Sequence, residues 1–366
     1  MASAPETASP SPPKQAAENA PSRPSPAGTA TPRVAILLST CNGAAFLPAQ
    51  LQSFRDQSHA NWVLYWRDDG STDETVAILE QFAAAEARCV RIVDPPGQRV
   101  ERHPPGRVGG RLSTTASFLA LLRAVAPRLA PGDLVAFADQ DDVWLAEKLA
   151  RGVAALAAAE AGVPMLYCAR QVLVDARLRR IGDSPRLRRA PGFPASLAQN
   201  VAVGCTIMLN PRAIALVAES APPPATFHDW WCYLLVTAAG GQCLHDDAEV
   251  ILYRQHPGNA VGSSRSTLRR TLAAMRRGPS AFMGLLRAHL AALAARPDLL
   301  SAMARDDVAR LQQALRGGML QRLAGLRAVD LRRQTLAETT LLYLWFLIEG
   351  RSRPPENPSR VAARGK

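Results

Sequence analysis

The hydrophobic pattern begins at Val34 with a short continuous apolar run, VAILLS, that ends in the polar turn Thr40-Cys41-Asn42-Gly43. A run without polar alternation predicts a strand covered on both faces. Apolar positions then recur at helical spacing through Phe46, Leu47, Leu51 and Phe54. A second strand, WVLYW over 62–66, ends in Arg67-Asp68-Asp69-Gly70-Ser71-Thr72-Asp73, and Val76, Ile78, Leu79 and Phe82 predict the helix after it. Val90 to Val93 reads as a third strand. The proline- and glycine-rich stretch 94–112 reads as a long loop. A helix through Phe118, Leu121 and Leu122 leads to the strand DLVAFA over 133–138. The acidic DQDD of 139–142 follows, then a helix from Trp144 into the Ala-rich 153–159.

Further on, the pattern predicts strands over Met165–Val174, Cys205–Leu209 and Val250–Arg254, an Arg-, Pro- and Gly-rich loop over 180–200, and a helix near His228–Ala239. Beyond Gly262 only helical spacing remains, as in Ser266–Arg277 and Ala281–Leu293. Alternating strands and helices with polar chemistry at the strand C-terminal ends predict an α/β fold built on an open, mostly parallel Rossmann-like sheet with flanking helices. Ligands are expected at those strand ends. The organisation reads as a disordered Ala/Pro/Ser-rich tail (1–32, with eight prolines), a catalytic domain (33–262), a basic C-terminal helical extension (263–350) and a flexible tail (351–366).

Composition changes this picture in one respect. The 366 residues carry a formal charge of +12, which by itself points toward nucleic acid or an anionic surface. Residues 1–262, however, hold 24 basic and 24 acidic side chains, whereas 263–366 hold 19 and 7. The whole excess sits in the helical end, where aromatics are few and the Arg residues punctuate amphipathic helices. That distribution argues against nucleic acid and allows contact with an anionic membrane surface, with a solvated Arg face as the plain alternative. Six cysteines without a CxxC pair and no apolar leader suggest a reduced, cytoplasmic setting, peripheral at the inner face of the cytoplasmic membrane if the helices bind lipid.

Three strand ends carry the candidate chemistry. Asp139-Gln140-Asp141-Asp142 places three carboxylates in four positions, and a divalent cation between them relieves their repulsion. Hard oxygen ligands suit Mg²⁺ or Mn²⁺; the plain alternative is an acidic turn capping the next helix. Asp68 to Asp73 joins a strand to a helix N-terminus, where free N–H groups attract anions and a carboxylate can accept from a pyrimidine base. Thr40, Asn42 and Gly43 add small polar groups. Together the three ends describe a nucleotide pocket.

The run from Val34 to Thr75, then AFADQDDVW, NVAVGCTIMLN, HDWW and YRQHPGN, resembles glycosyltransferase family 2 over roughly 34–262, and most nearly its bacterial rhamnosyltransferase-like branch. The resemblance implies an A-type glycosyltransferase fold, a nucleotide-diphospho-sugar donor, dTDP- or UDP-linked, and a divalent metal. It implies that Thr40, Asn42 and Asp68 or Asp69 hold base and ribose, and that Asp141 lies nearest the metal with Asp139 beside it, toward the ribose or a metal-bound water. Asp142 then orients the neighbouring loop or the donor sugar, and His256 completes the metal site or contacts the diphosphate. Asp229 falls at the catalytic base, while Gly204, Cys205 and Trp230 border the acceptor, a glycan or lipid-linked hydroxyl in bacterial surface polysaccharide synthesis. In this branch Asn usually precedes the Phe of the third helix; here it is Ser117. No QxxRW motif of processive synthases is present, which implies addition of a single sugar.

Two rival readings stand beside this one. A haloacid-dehalogenase-like phosphohydrolase would make Asp139 a nucleophile and Asp141 an acid/base, but that chemistry wants a downstream Lys, and this chain offers only Lys148 and Lys366. A non-catalytic nucleotide- or membrane-binding protein is the other.

Overall fold

The structure, a computed structural model, describes residues 31–93, 113–158, 162–224, 226–256 and 267–348, with side chains from 279 onward in the last segment. The tail over 1–30, the loop 94–112 and the tail 351–366 lie outside the described residues. From Pro32 onward the chain forms one compact unit.

The first half follows the hydrophobic pattern closely: β1 (Val34–Thr40), α1 (Leu47–Arg55), β2 (Trp62–Asp68), α2 (Thr75–Ala85), β3 (Cys89–Arg91), α3 (Thr114–Val125) and β4 (Leu134–Ala138). Next come β5 (Val143–Trp144), α4 (Lys148–Ala157), β6 (Met165–Val174), β7 (Arg180–Asp183), α5 (Ala195–Ala198), β8 (Met208–Leu209), α6 (Pro211–Glu219), α7 (His228–Ala238) and β9 (Gln242–Arg254). The C-terminal helices are α8 (Thr267–Ala294), α9 (Ala302–Arg316), α10 (Met319–Val329) and α11 (Leu336–Ile348).

These strands make one mixed sheet in the order β3-β2-β1-β4-β8-β6-β9-β5, with β7 on the flank of β6. Strands β3, β2, β1 and β4 are parallel, β8 runs antiparallel to both β4 and β6, and β6 and β9 are parallel. The first half is wholly parallel, and the antiparallel pairings of β8, β5 and β7 make the sheet a mixed one. The apolar run of β1 divides its side chains between two cores: Val34, Ile36 and Leu38 pack with α1, α2 and α4, and Ala35 and Leu37 pack with α3, α6 and α7. Burial on both faces explains why β1 lacks alternation.

Four local expectations are corrected. The helix foreseen from Trp144 starts at Lys148, because Val143 and Trp144 pair with β9. Residues Gly204–Thr206 form a 3₁₀ turn, which leaves only Met208 and Leu209 in the foreseen strand. The 180–200 loop contains β7 and α5. The two foreseen helices over 266–293 are one, α8, which runs through Pro279.

The C-terminal helices share the core of the sheet's second face. Met283, Leu286, Leu290 and Leu293 of α8 are each at most 1% exposed and belong to the cluster that holds α7. His289, fully buried on the same helix, hydrogen-bonds the Thr226 hydroxyl at 2.9 Å just before α7.

Candidate active site

The parallel register sets β1, β2 and β4 side by side, with Thr40 opposite Asp68 and Leu38 opposite Ala138. Their following loops, 40–43, 68–73 and 139–142, therefore adjoin at one sheet edge. Cross-loop hydrogen bonds hold them together. The Asn42 N–H donates to Ser71 Oγ at 2.8 Å, while Asn42 Oδ1 accepts from the Thr72 N–H at 2.8 Å. Asn42 does this from a left-handed backbone (φ 51°), a conformation asparagine tolerates better than most residues.

Asp68 is spent inside its own turn: its carboxylate accepts from the N–H groups of Gly70 and Ser71 and from the hydroxyls of Thr40 and Ser71. Asp69 receives Arg67 Nη1 at 3.2 Å, and that buried guanidinium also donates to Ser117 Oγ at 2.7 Å. Ser117 in turn pairs with Ser39 Oγ at 2.6 Å. The serine at this departure from the family pattern thus ties α3 to the ends of β1 and β2.

The DQDD turn is the electrostatic centre. Asp139 is pushed up to about 7, first by burial and then by the charges of Asp141 and Asp229. Asp142 is fully buried; burial and the neighbouring carboxylates drive its pKa well above the ordinary range. One Asp142 oxygen accepts the Arg254 N–H at 3.1 Å, and the other has no hydrogen-bond partner among the described residues. Ligand atoms of Asp139, Asp142 and Cys205 lie within 4.8 Å of one another. Beside them, Asp141 Oδ2 meets His256 Nε2 at 2.8 Å. Crowded buried carboxylates with an unsatisfied oxygen fit a divalent cation, since a cation stabilises the ionised forms that burial opposes. The hard oxygens suit Mg²⁺ or Mn²⁺.

Of the residues foreseen for the metal, Asp141 and His256 touch each other, while Asp139 groups with Asp142 and Cys205. Cys205 is 1% exposed, beneath the carboxylates.

Asp229 opens the first turn of α7. Its carboxylate accepts from the N–H groups of Trp230 (2.6 Å) and Gly204 (3.3 Å), yet burial outweighs these bonds and raises its pKa to about 6. Gly204 is required for this approach, because a Cβ there would meet His228 Nε2 at 2.8 Å. His228 is buried between Phe118, stacked at 4.2 Å, and the edge of Phe137; burial lowers its pKa to about 3, so it is a neutral packing residue. Trp230 is half-buried, its Nε1 donating to the Ser196 carbonyl at 2.7 Å, and Trp231 is core, bonded to Ser220 Oγ at 2.8 Å.

Three residues without a role in the sequence reading stand out. Arg254 donates from Nε to the Asp141 carbonyl (2.7 Å) and from Nη1 to the Ala176 carbonyl (2.6 Å), fixing the acidic turn. Gln140 joins that turn to the loop after β1. Lys148 is fully buried with Nζ 3.2 Å from the centre of the Trp144 ring; burial lowers its pKa to about 7, against the charges of Asp142 and Asp139. Arg254 and Gln140 stand inside quoted motifs and were findable there; nothing in the sequence marks Lys148.

The model of the family "Glycosyl transferase family 2" matches residues 35–103. The dTDP-rhamnosyl transferase RfbG of Shigella flexneri is 24% identical over 236 residues, 63% of this chain and 75% of that protein. The UDP-Glc:alpha-D-GlcNAc-diphosphoundecaprenol beta-1,3-glucosyltransferase WfgD of Escherichia coli is 27% identical over 32% of this chain and 38% of its own length. Among solved structures, TarS 1-349 of S. aureus in complex with UDP-GlcNAc is similar at a TM-score of 0.49 and 13% identity, covering 76% of this chain and 70% of that one.

Proposed function

We propose that this chain, a glycosyltransferase of family 2, moves a single sugar from a nucleotide-diphospho-sugar to an acceptor hydroxyl with inversion, and that rhamnose from a dTDP-linked donor is the leading candidate. The enzyme class, the nucleotide-sugar donor and the sugar rest on the relatives; the inversion and the metal are inferred from the site. Similarity to a dTDP-rhamnosyl transferase supports the sugar.

One observation carries the mechanism. Asp229 has a pKa raised to about 6 by burial and lies close enough to Asp139 for its charge to raise that carboxyl, so a carboxylate suited to proton abstraction adjoins the acidic turn. In the proposed step the acceptor O–H gives its proton to Asp229 while its oxygen bonds to the anomeric carbon. The bond from that carbon to the diphosphate breaks, and the diphosphate leaves with the electron pair. No covalent enzyme intermediate is needed, unlike retaining hydrolysis.

Asp139 and Asp141, with His256 beside Asp141, would hold a Mg²⁺ or Mn²⁺ ion. When bound, such an ion offsets negative charge on the leaving diphosphate. Asp142 and Arg254 keep the turn in shape from beneath. Asn42 and Asp68 build the nucleotide-facing loops, buried Thr40 braces Asp68 from beneath, and Asp69, held by Arg67, faces base and ribose. Gly204 and Trp230 flank the acceptor side of Asp229, whereas buried Cys205 supports the turn. The acceptor is a glycan or lipid-linked hydroxyl of a surface polysaccharide.

Thermal stabilisation by UDP, dTDP and GDP, each with and without Mn²⁺, tests the reading. A shift with dTDP that requires Mn²⁺ is expected. No shift with any nucleotide would favour a binding-incompetent relative and overturn the donor assignment.

A further inference from the structure

We propose that Asn200 is a positioning residue for Asp229, and that the turn between α10 and α11 holds Asn200 in place. Backbone donors already reach the Asp229 carboxylate, the Trp230 N–H on Oδ1 and the Gly204 N–H on Oδ2. The Asn200 side chain adds a further hydrogen bond to it. Its polarity is fixed. Asn200 Oδ1 accepts the Ala202 N–H at 3.1 Å, so the donor end of the amide faces the carboxylate, which can only accept. Asn200 and Gly204 thus grip Asp229 from the two ends of one short loop.

Asn200 follows directly on Gln199 and α5, and both are clasped. Trp230 Nε1 donates to the Ser196 carbonyl, and Ser196 Oγ lies 2.9 Å from Thr237 Oγ1, which ties α5 to α7. From the turn between α10 and α11, Arg333 Nε donates to the Ala198 carbonyl at 3.0 Å and the Gln334 N–H to Gln199 Oε1 at 2.9 Å. The Gln334 side chain also captures the chain before α5. Its Oε1 accepts the N–H groups of Arg188 (2.8 Å) and Arg189 (3.0 Å), and its Nε2 donates to the Arg189 carbonyl at 3.1 Å. Arg333 is itself braced, its guanidinium 4.4 Å from the centre of the Phe282 ring of α8. The helical layer thereby fastens the residue next to Asn200.

A donor to a carboxylate favours its ionised form, so Asn200 opposes the burial that raises Asp229. A general base needs that form. Among the described residues, the titratable groups around Asp229 are Asp139 of the acidic turn, Cys205 beside Gly204, His228 and Cys232 of α7, and His289 of α8, which meets the Trp230 ring. The clasp brings Arg333. Burial keeps the two thiols and both imidazoles neutral, which leaves Asp139 as the neighbour that titrates in the same range. The catalytic meaning of the contact rests on the proposed function; the contact itself does not.

Carbon-13 NMR titration of the full chain, labelled at its aspartate carboxyls, reads Asp229 without donor, acceptor or turnover, and D229N identifies its signal. N200A should raise the Asp229 midpoint by about one pH unit, through loss of a donor to a charged group. N200D sets a second carboxylate against the first and should raise it further. Q334A should move it the same way by less, and N200A/Q334A no further than N200A. Initial rates at saturating donor add the catalytic arm: N200A should lose about tenfold at pH 5 and little at pH 8, with the donor KM near the parent's. A merely structural role would lower the rate by one factor at every pH. Circular dichroism melting verifies that the variants fold. An Asp229 midpoint unmoved in folded N200A overturns the proposal; should N200A not fold, an unmoved midpoint in Q334A does so. A midpoint that moves while turnover keeps the parent's pH profile would uphold the hold of Asn200 on Asp229 and remove Asp229 as the base, a failure of the proposed function instead.

Discussion

Gln140 and Cys41 hold each other through both ends of one side-chain amide: Gln140 Nε2 donates to the Cys41 carbonyl at 3.0 Å, and Gln140 Oε1 accepts the Cys41 N–H at 2.9 Å. The amide thereby copies a backbone bridge between the loops after β4 and β1. Its space is provided by Gly43, where a Cβ would meet Gln140 Oε1 at 2.3 Å.

Gln140→Ala removes two hydrogen bonds worth ~1 kcal/mol each. It should destabilise the chain by about that sum and weaken nucleotide binding, because the two loops lose their fixed separation. Gly43→Ala should act through the same contact by displacing the amide rather than the backbone. A double-mutant cycle in denaturant checks this: the double variant is expected to be no worse than the more damaging single one. Full additivity would mean that the clasp is not the shared cause.

The Asp141–His256 contact predicts a divided phenotype. Asp141→Ala should abolish the metal-dependent part of nucleotide binding, and His256→Ala should weaken it, while metal-free binding of either variant stays near the parent. Calorimetric titration of the nucleotide in Mn²⁺ and in chelator reads the difference. Parent-like binding by Asp141→Ala in Mn²⁺ would remove it from the metal site.

Much of this arrangement was legible in the sequence because β1, β2 and β4 carry unbroken apolar runs that stop abruptly at polar turns. A buried parallel strand has no other way to look, and its C-terminal end is where side chains meet a ligand. The second half was harder to read for two physical reasons. Strand β8 is only Met208–Leu209, too short to have a period, and Val143–Trp144 pairs with β9 across more than a hundred residues, which no local pattern reports. The resemblance gave Asp229 its role, but not its support: the N–H of Gly204 and the pocket of His228, Phe118 and Phe137 come from separate segments. Lys148 follows the acidic motif closely in sequence, and its burial behind that motif depends on the turn of β5.

The C-terminal helices predict a consequence for truncation. Net charge sets 263–366 apart, yet Met283, Leu286, Leu290 and Leu293 lie in the core that surrounds α7. Each fully buried side chain of this kind contributes about 1.5–3 kcal/mol, and together the four approach the ~5–15 kcal/mol that keeps a whole domain folded. A chain ending at residue 262 should therefore be insoluble or lack near-ultraviolet dichroism, whatever its nucleotide-facing loops. Cooperative melting of a soluble 1–262 fragment would contradict the shared core and support an independent catalytic domain.

The raised pKa of Asp229 predicts how turnover depends on pH. A general base must be ionised before it takes the acceptor proton, and burial lifts this carboxyl to about 6. Because the shift is upward, protonation sets in while the solution is only mildly acidic. Turnover should fall about tenfold per pH unit below about 6 and level off above it. An unshifted carboxylate would hold the plateau down to about pH 4. Asp229→Asn should lower turnover on the order of 10²-fold, leave donor affinity near the parent value, and flatten the acidic limb in the residual activity. Initial rates across pH 5–8 at saturating donor, for parent and variant, measure all three effects. An acidic limb that persists unchanged in Asp229→Asn would assign the titration to another group, and undiminished turnover would remove Asp229 from the reaction.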